Sequence, residues 1–204
     1  MLLKLFNKIL NAKYIHTAQG VDYAIERDGK TLYVLFECSD GEEDWKSNFD
    51  FIAKPYKEMP KTWYCHRGFS KAYKSVRDDI IEYIKDYALN CKIKNIVCAG
   101  YSHGAALALL CTEDLKYFFG DLYGVQGVGF GTPRVIWGIV PKEVKNRLSG
   151  FISVRNIDDI VTHVPPKFLG FRDAGKVLTI GQKGKYSRID AHRPESYKEE
   201  LKDL

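Results

Sequence analysis

Gly100-Tyr101-Ser102-His103-Gly104 is the segment of this chain whose residue types and spacing best suit chemistry. An apolar run, Ile96-Val97-Cys98-Ala99, leads into it, and an Ala- and Leu-rich stretch follows. A serine on a strand-to-helix turn of this kind takes a strained backbone conformation that aims its Oγ away from the sheet. Gly100 and Gly104 would let strand and helix approach without clashing β-carbons. The plain alternative is a tight turn carrying an idle serine. What favours a nucleophile is the set of partners downstream, because a hydroxyl needs a base to take its proton and an acid to orient that base.

Five histidines compete for the base. His103 sits beside the serine inside the turn, where its side chain points elsewhere and its backbone N–H is the more useful group. His16 and His66 precede the serine, whereas a strand–turn–helix nucleophile is followed first by Asp or Glu and then by His. His163 comes four residues after Asp159 on what reads as one loop, where it solvates the rim of the site. His192, in Ile189-Asp-Ala-His-Arg-Pro194, rides a loop between a strand and the last helix and is the favoured base. The acid lies in Asn156-Ile-Asp158-Asp159-Ile-Val-Thr-His-Val-Pro165-Pro166. Asp158 and Asp159 point in different directions, so only one faces the imidazole, and spacing does not choose between them. The other is expected to satisfy backbone N–H groups in a turn.

These residues need a scaffold, and the patterning supplies one. Tyr23–Arg27 and Thr31–Phe36 flank Asp28-Gly29, a dipeptide suited to a type I′ hairpin turn. Residues 40–64 read as irregular. Phe69, Tyr73, Val76, Ile80, Ile84 and Tyr87 recur at helical spacing up to about Asn90. Further strands are expected at 96–99, 124–130, 151–155 and 176–180. Helices are expected from His103 towards Phe118, at 141–148, and from Pro194, a residue that suits a first helical turn. An antiparallel start followed by strands alternating with helices gives an α/β fold with a mostly parallel sheet flanked by helices.

Composition bounds the rest. The 204 residues, 45% hydrophobic and 13% aromatic, fit one domain (1–204) able to bury its own core and exclude a disordered chain. Residues 1–20 form an N-terminal helical and extended segment, with Leu2, Leu5, Phe6 and Ile9 packing on the domain. Five cysteines without a CxxC pair or Cys/His ligand spacing exclude a disulfide scaffold and a zinc site. They read as reduced, inert packing thiols, Cys38 included. With no secretory leader evident in MLLKLFNKIL, a cytoplasmic location is expected. The net charge of +5 is scattered, so no nucleic-acid partner is expected. Residues 95–112 lack any charged side chain but hold two glycines, Ser102 and His103 centrally, and so read as strand, turn and helix rather than a transmembrane segment.

Taken together, five segments resemble the class 3 lipase family of α/β-hydrolases. They are Phe36-Glu37-Cys38-Ser39 with Glu43-Asp-Trp45, Cys65-His66-Arg67-Gly68-Phe69, the 100–104 turn with Phe130-Gly-Thr-Pro-Arg134-Val, Asp158-Asp159-Ile-Val with Pro165-Pro166, and Ala191-His192-Arg-Pro. Their shared order carries the resemblance, which is greatest to small bacterial and phage-borne members. It implies an α/β-hydrolase fold and a serine hydrolase cleaving carboxylic esters of lipids without metal or cofactor. Phospholipase or soluble-ester esterase activity, or a catalytically idle lipid- or partner-binding module, are the alternatives. It implies Ser102, Asp159 and His192 as the triad and the Ser39 and His103 N–H groups as the oxyanion hole. Residues 40–64 would be a lid-like segment with Trp45, Phe49 and Phe51 towards substrate or a lipid interface. The family's usual Arg-Gly before the oxyanion residue is replaced by Glu37-Cys38, which restricts the backbone there.

Overall fold

The computed structural model of the chain describes residues 1–18, 20–38, 51–90, 92–202 and 204. Helix α1 (Leu2–Leu10) leads into strands β1 (Tyr23–Asp28) and β2 (Thr31–Phe36), then β3 (Ala53–Tyr56) and β4 (Trp63–His66). Next come α2 (Arg67–Asn90), β5 (Asn95–Tyr101), α3 (His103–Phe119), β6 (Gly124–Phe130) and β7 (Ile136–Trp137). The chain ends with α4 (Lys142–Leu148), β8 (Phe151–Asn156), β9 (Phe171–Arg172), β10 (Lys176–Ile180) and α5 (Pro194–Glu200).

The central sheet has the order β1-β2-β5-β6-β8-β10. β1 pairs antiparallel with β2, and every later pair is parallel. Parallel strands need crossovers that cover both faces of the sheet, which is why β5 and β6 are buried continuously over their last four residues. On one face, Ile80 and Ile84 of α2 and Leu107 and Leu110 of α3 pack with Ile96 and Cys98 of β5. On the other, Phe6 and Ile9 of α1 and Tyr197 and Leu201 at the C-terminal end pack with Ala99, Tyr101 and Phe130. Among the described residues, no helix is long and apolar enough to cross a membrane.

Two sequence expectations change. In the first hairpin Asp28 pairs with Thr31, so the loop residues are Gly29 and Lys30. Only Gly29 has positive φ (57°), the pattern of a type II′ turn rather than type I′. Within 40–64, the segment read as irregular, β3 and β4 join β7 and β9 in a second, four-stranded antiparallel sheet. Charges and prolines between the aromatics hid its period. Tyr56 and Trp63 are directly paired and fully buried, with ring centroids 5.2 Å apart.

A buried polar cluster ties this second sheet to the nucleophile-bearing helix. The Asp114 carboxylate of α3 accepts Tyr56 Oη at 3.0 and 3.1 Å, Tyr73 Oη at 3.4 Å, and the Nε–H of Arg77. Next to it, Glu113 accepts Arg147 Nε from α4 at 2.7 Å. Both carboxylates are fully buried, which is tolerable only because each is paired and hydrogen-bonded.

Candidate active site

The site lies at the C-terminal ends of the parallel strands, where an open α/β sheet places its ligands. Ser102 occupies the single residue between β5 and α3 with φ 55° and ψ −120°, and among the described non-glycine residues it alone has positive φ. Its N–H donates to the Phe130 carbonyl at 2.9 Å, which fastens the strained turn to β6. Both glycines are sterically required. A Cβ on Gly100 would stand 2.2 Å from the Gly104 carbonyl oxygen, and one on Gly104 would stand 2.5 Å from that of Phe36 at the end of β2.

His192 comes from a 3-10 turn just before α5. Its Nε2 is 2.8 Å from Ser102 Oγ and its Nδ1 is 2.8 Å from Asp159 Oδ2. Asp159 is fully buried in the loop after β8. Its Oδ1 accepts the Val161 N–H at 2.8 Å, and its Oδ2 also accepts the Tyr197 hydroxyl at 2.6 Å. Burial and the Asp159 charge hold the Tyr197 phenol well above its ordinary pKa, so it stays a donor. Held by these donors, the carboxylate points one oxygen at Nδ1, the arrangement that leaves Nε2 free to accept a proton from a hydroxyl.

The neighbouring candidates lie elsewhere. Asp158 turns away and accepts the Gly184 N–H at 2.6 Å, so the choice that spacing left open falls on Asp159 as the imidazole partner. His163 Nδ1 lies 3.0 Å from both the Asp159 carbonyl and the Thr162 hydroxyl. The His103 ring packs against Phe69 at 5.6 Å, and burial lowers its pKa to about 4. Its N–H belongs to the first turn of α3, where backbone donors have no acceptor within the helix. Ser39, Trp45 and Phe49 lie outside the described residues, while Phe51 is exposed just before β3.

Three site residues escape sequence reasoning. Tyr197 looks like one more residue of a short terminal helix. Its only signal is the four-residue spacing to Leu201, which marks a buried face. Tyr101, the variable position of the turn, stacks on the His192 ring (5.1 Å, 24°) and donates its hydroxyl to the His192 carbonyl. Gly131 has φ 61°, and a Cβ there would lie 2.8 Å from His192 Cε1 and 3.1 Å from Asp159 Oδ2. The Phe130-Gly-Thr-Pro signature is therefore the floor under the imidazole. For metal, His16, Asp22 and Glu37 are a group among the described residues whose ligand atoms lie within 4.8 Å of one another. None of the three contributes to the Ser102–His192–Asp159 array.

A mostly parallel sheet covered by helices on both faces, with a serine elbow, a histidine on a late loop and a buried aspartate behind that histidine, defines an α/β-hydrolase with a serine-type triad. The family model for Lipase (class 3) matches residues 33–169, and the chain belongs to that family. It is 28% identical over 153 residues to a lipase of Rhizomucor miehei, covering 74% of this chain and 42% of the relative. It is 29% identical over 168 residues to a secreted mono- and diacylglycerol lipase of Malassezia globosa, covering 81% and 54%. The chain thus spans about half the length of these relatives. The crystal structure of a lipase from Rhizopus microsporus var. chinensis has the same fold, with a TM-score of 0.73 at 24% identity over 91% of this chain and 68% of that one.

These relatives overturn the cytoplasmic expectation. The Malassezia proteins are by name secreted, which points to an extracellular setting. The thiols are a weak guide to location, because in the folded chain Cys65, Cys98 and Cys111 are buried and closed to exchange.

Proposed function

We propose that this chain hydrolyses carboxylic ester bonds of glycerolipids through an acyl-enzyme. Ser102 Oγ attacks the ester carbonyl while His192 Nε2 takes its proton. The tetrahedral oxyanion is held by the backbone N–H groups of His103 and Ser39. His192 then protonates the leaving alcohol, and water, deprotonated by the same nitrogen, releases the acid and restores the serine. Asp159 keeps Nδ1 protonated and the ring aligned throughout.

The observation that carries this reading is the continuous array from Ser102 Oγ through His192 to Asp159, with both links at 2.8 Å. The oxyanion assignment is supported by the packing of Gly104 directly beneath the Phe36 and Glu37 carbonyls, which brings the end of β2 to the first turn of α3. A lipid rather than a small soluble ester is supported by family membership and by the Malassezia relative's named substrates. Phe51, with Trp45 and Phe49, is assigned to the acyl chain or to a lipid interface.

Covalent labelling tests the chemistry. A fluorophosphonate should modify Ser102, within the tryptic peptide 95–116, and Ser102→Ala should abolish both labelling and ester turnover. An unlabelled wild type would overturn the proposal. A series of glycerol and p-nitrophenyl esters of increasing chain length then separates the substrates. Preference for long chains with a rise in rate once the substrate aggregates supports a lipase, and a smooth hyperbola with short chains marks an esterase.

A further inference from the structure

Two thiols that take no part in the triad meet in the core. Cys98 of β5 and Cys111 of α3 are both fully buried, and their sulfurs lie 3.6 Å apart. The twelve residues between them comprise the end of β5, the Ser102 elbow and the first turns of α3. Sulfurs at that separation are in van der Waals contact. A bond needs about 2 Å, so closure asks for roughly 1.6 Å, shared between two side chains that already converge. Among the other described cysteines, Cys38 packs on the opposite face of the sheet, and Cys65 belongs to β4 in the second sheet.

We propose that Cys98 and Cys111 form an intramolecular disulfide when the chain folds in the presence of a low-molecular-weight disulfide, stapling together the two arms of the nucleophile elbow. One protein thiolate attacks the small disulfide, forming a mixed disulfide and releasing one small thiol. The second protein thiolate then attacks the protein sulfur of that mixed disulfide, forming the Cys98–Cys111 bond and releasing the other small thiol. Two protein thiols are oxidised, and the small disulfide takes up their two protons and two electrons.

Burial dictates when this happens. Exchange requires a thiolate and an open line of attack. In the folded chain the Cys111 thiol is pushed far from ionising by desolvation, and both sulfurs are closed to solvent. The bond therefore closes while β5 and α3 are still coming together. Afterwards it is as sheltered from reductants as the thiols are from oxidants, so the redox state records the compartment in which the chain folded. The elbow gains most from such a link, because Ser102 is held at φ 55° only by its surroundings.

The test is refolding of the full chain from denaturant in oxidised glutathione, then alkylation under denaturing conditions without reductant. Tryptic peptide 95–116 carries both cysteines and no other. It should be unalkylated and about 2 Da lighter than the free dithiol. The melting temperature should rise by roughly 6–12 °C over the reduced form, for a loop of this size in a domain of this length. Cys98→Ala and Cys111→Ala should each erase that difference between oxidising and reducing refolding. Native reduced protein incubated with oxidised glutathione should still alkylate at both sites. The proposal is overturned if oxidative refolding leaves both thiols alkylatable, or joins either one to another cysteine or to glutathione. It is equally overturned if the bond forms without raising the melting temperature. Ser102→Ala should close the bond as readily as the wild type, so this outcome is independent of any ester chemistry.

Discussion

The Tyr197 hydroxyl donates at 2.6 Å to Oδ2 of Asp159, the same oxygen that receives Nδ1 of His192 at 2.8 Å. It also accepts the Asn156 N–H at 3.1 Å, so one phenol joins α5, the end of β8 and the acid. With the Val161 N–H on Oδ1, the carboxylate is held by two donors besides the imidazole.

Tyr197→Phe should therefore act as the loss of a positioning residue. Hydrogen bonds to charged groups contribute about 1.5–3 kcal/mol, so kcat should fall roughly 10- to 100-fold with KM little changed. A loss confined to kcat, with KM and the melting temperature little changed, marks a positioning role, whereas a purely structural role would lower the melting temperature with kcat of the folded protein kept. Asp159→Asn should cost more, about 10⁴-fold in kcat, because it imposes the wrong imidazole tautomer.

Gly131→Ala places a methyl 2.8 Å from His192 Cε1 at a backbone φ of 61°. The ring must move, and a misplaced base should lower kcat on the order of 10²-fold. Gly138→Ala is the control: its φ is 68° but nothing lies within 4 Å of the new methyl. That variant should cost only the left-handed strain of about 1–2 kcal/mol and leave kcat unchanged. Steady-state kinetics with thermal melts of both variants separates the two effects.

Burial lowers the pKa of His103 to about 4, and burial with the neighbouring His103 does the same to His66. The unfolded chain, with histidines near 6.5, binds more protons between about pH 4 and 6.5, so these groups make stability fall as pH falls through that window. Glu113 opposes them. Burial raises its carboxyl to about 7, so its contribution falls as pH rises from about 4.5 to 7. Comparing His103→Asn with the wild type, both retaining Glu113, isolates the histidine. Melting temperatures at pH 7 and pH 4.5 should differ less in the variant.

Asp114→Ala removes the acceptor shared by Tyr56, Tyr73 and Arg77 and leaves three donors behind it. Breaking a buried pair from one side costs about 3–5 kcal/mol, so the midpoint of urea unfolding should drop accordingly. The cluster joins α3 to β3 and α2, and the second sheet should loosen first. Hydrogen exchange at β3 and β4 reads this out directly.

The elbow, the order of its partners and the alternation of strands and helices were legible in the residues alone. Each is a local matter: Gly100 and Gly104 around a serine, an apolar run of strand length, and a helical period from Phe69 to Ile84. Local patterns carry through because backbone sterics and one-sided burial act over a few residues. The choice between Asp158 and Asp159 is of another kind, since adjacent residues have the same local chemistry and differ only in what their side chains meet after β8 and α5 have packed. The second sheet likewise depends on pairings between residues more than seventy positions apart, such as Tyr64 with Trp137. Tyr197, Gly131 and the Cys98–Cys111 contact acquire their significance only there. Composition and spacing register what a residue is, and its partner is set by the long-range packing that brings strand ends, loops and α5 to one point beside Ser102.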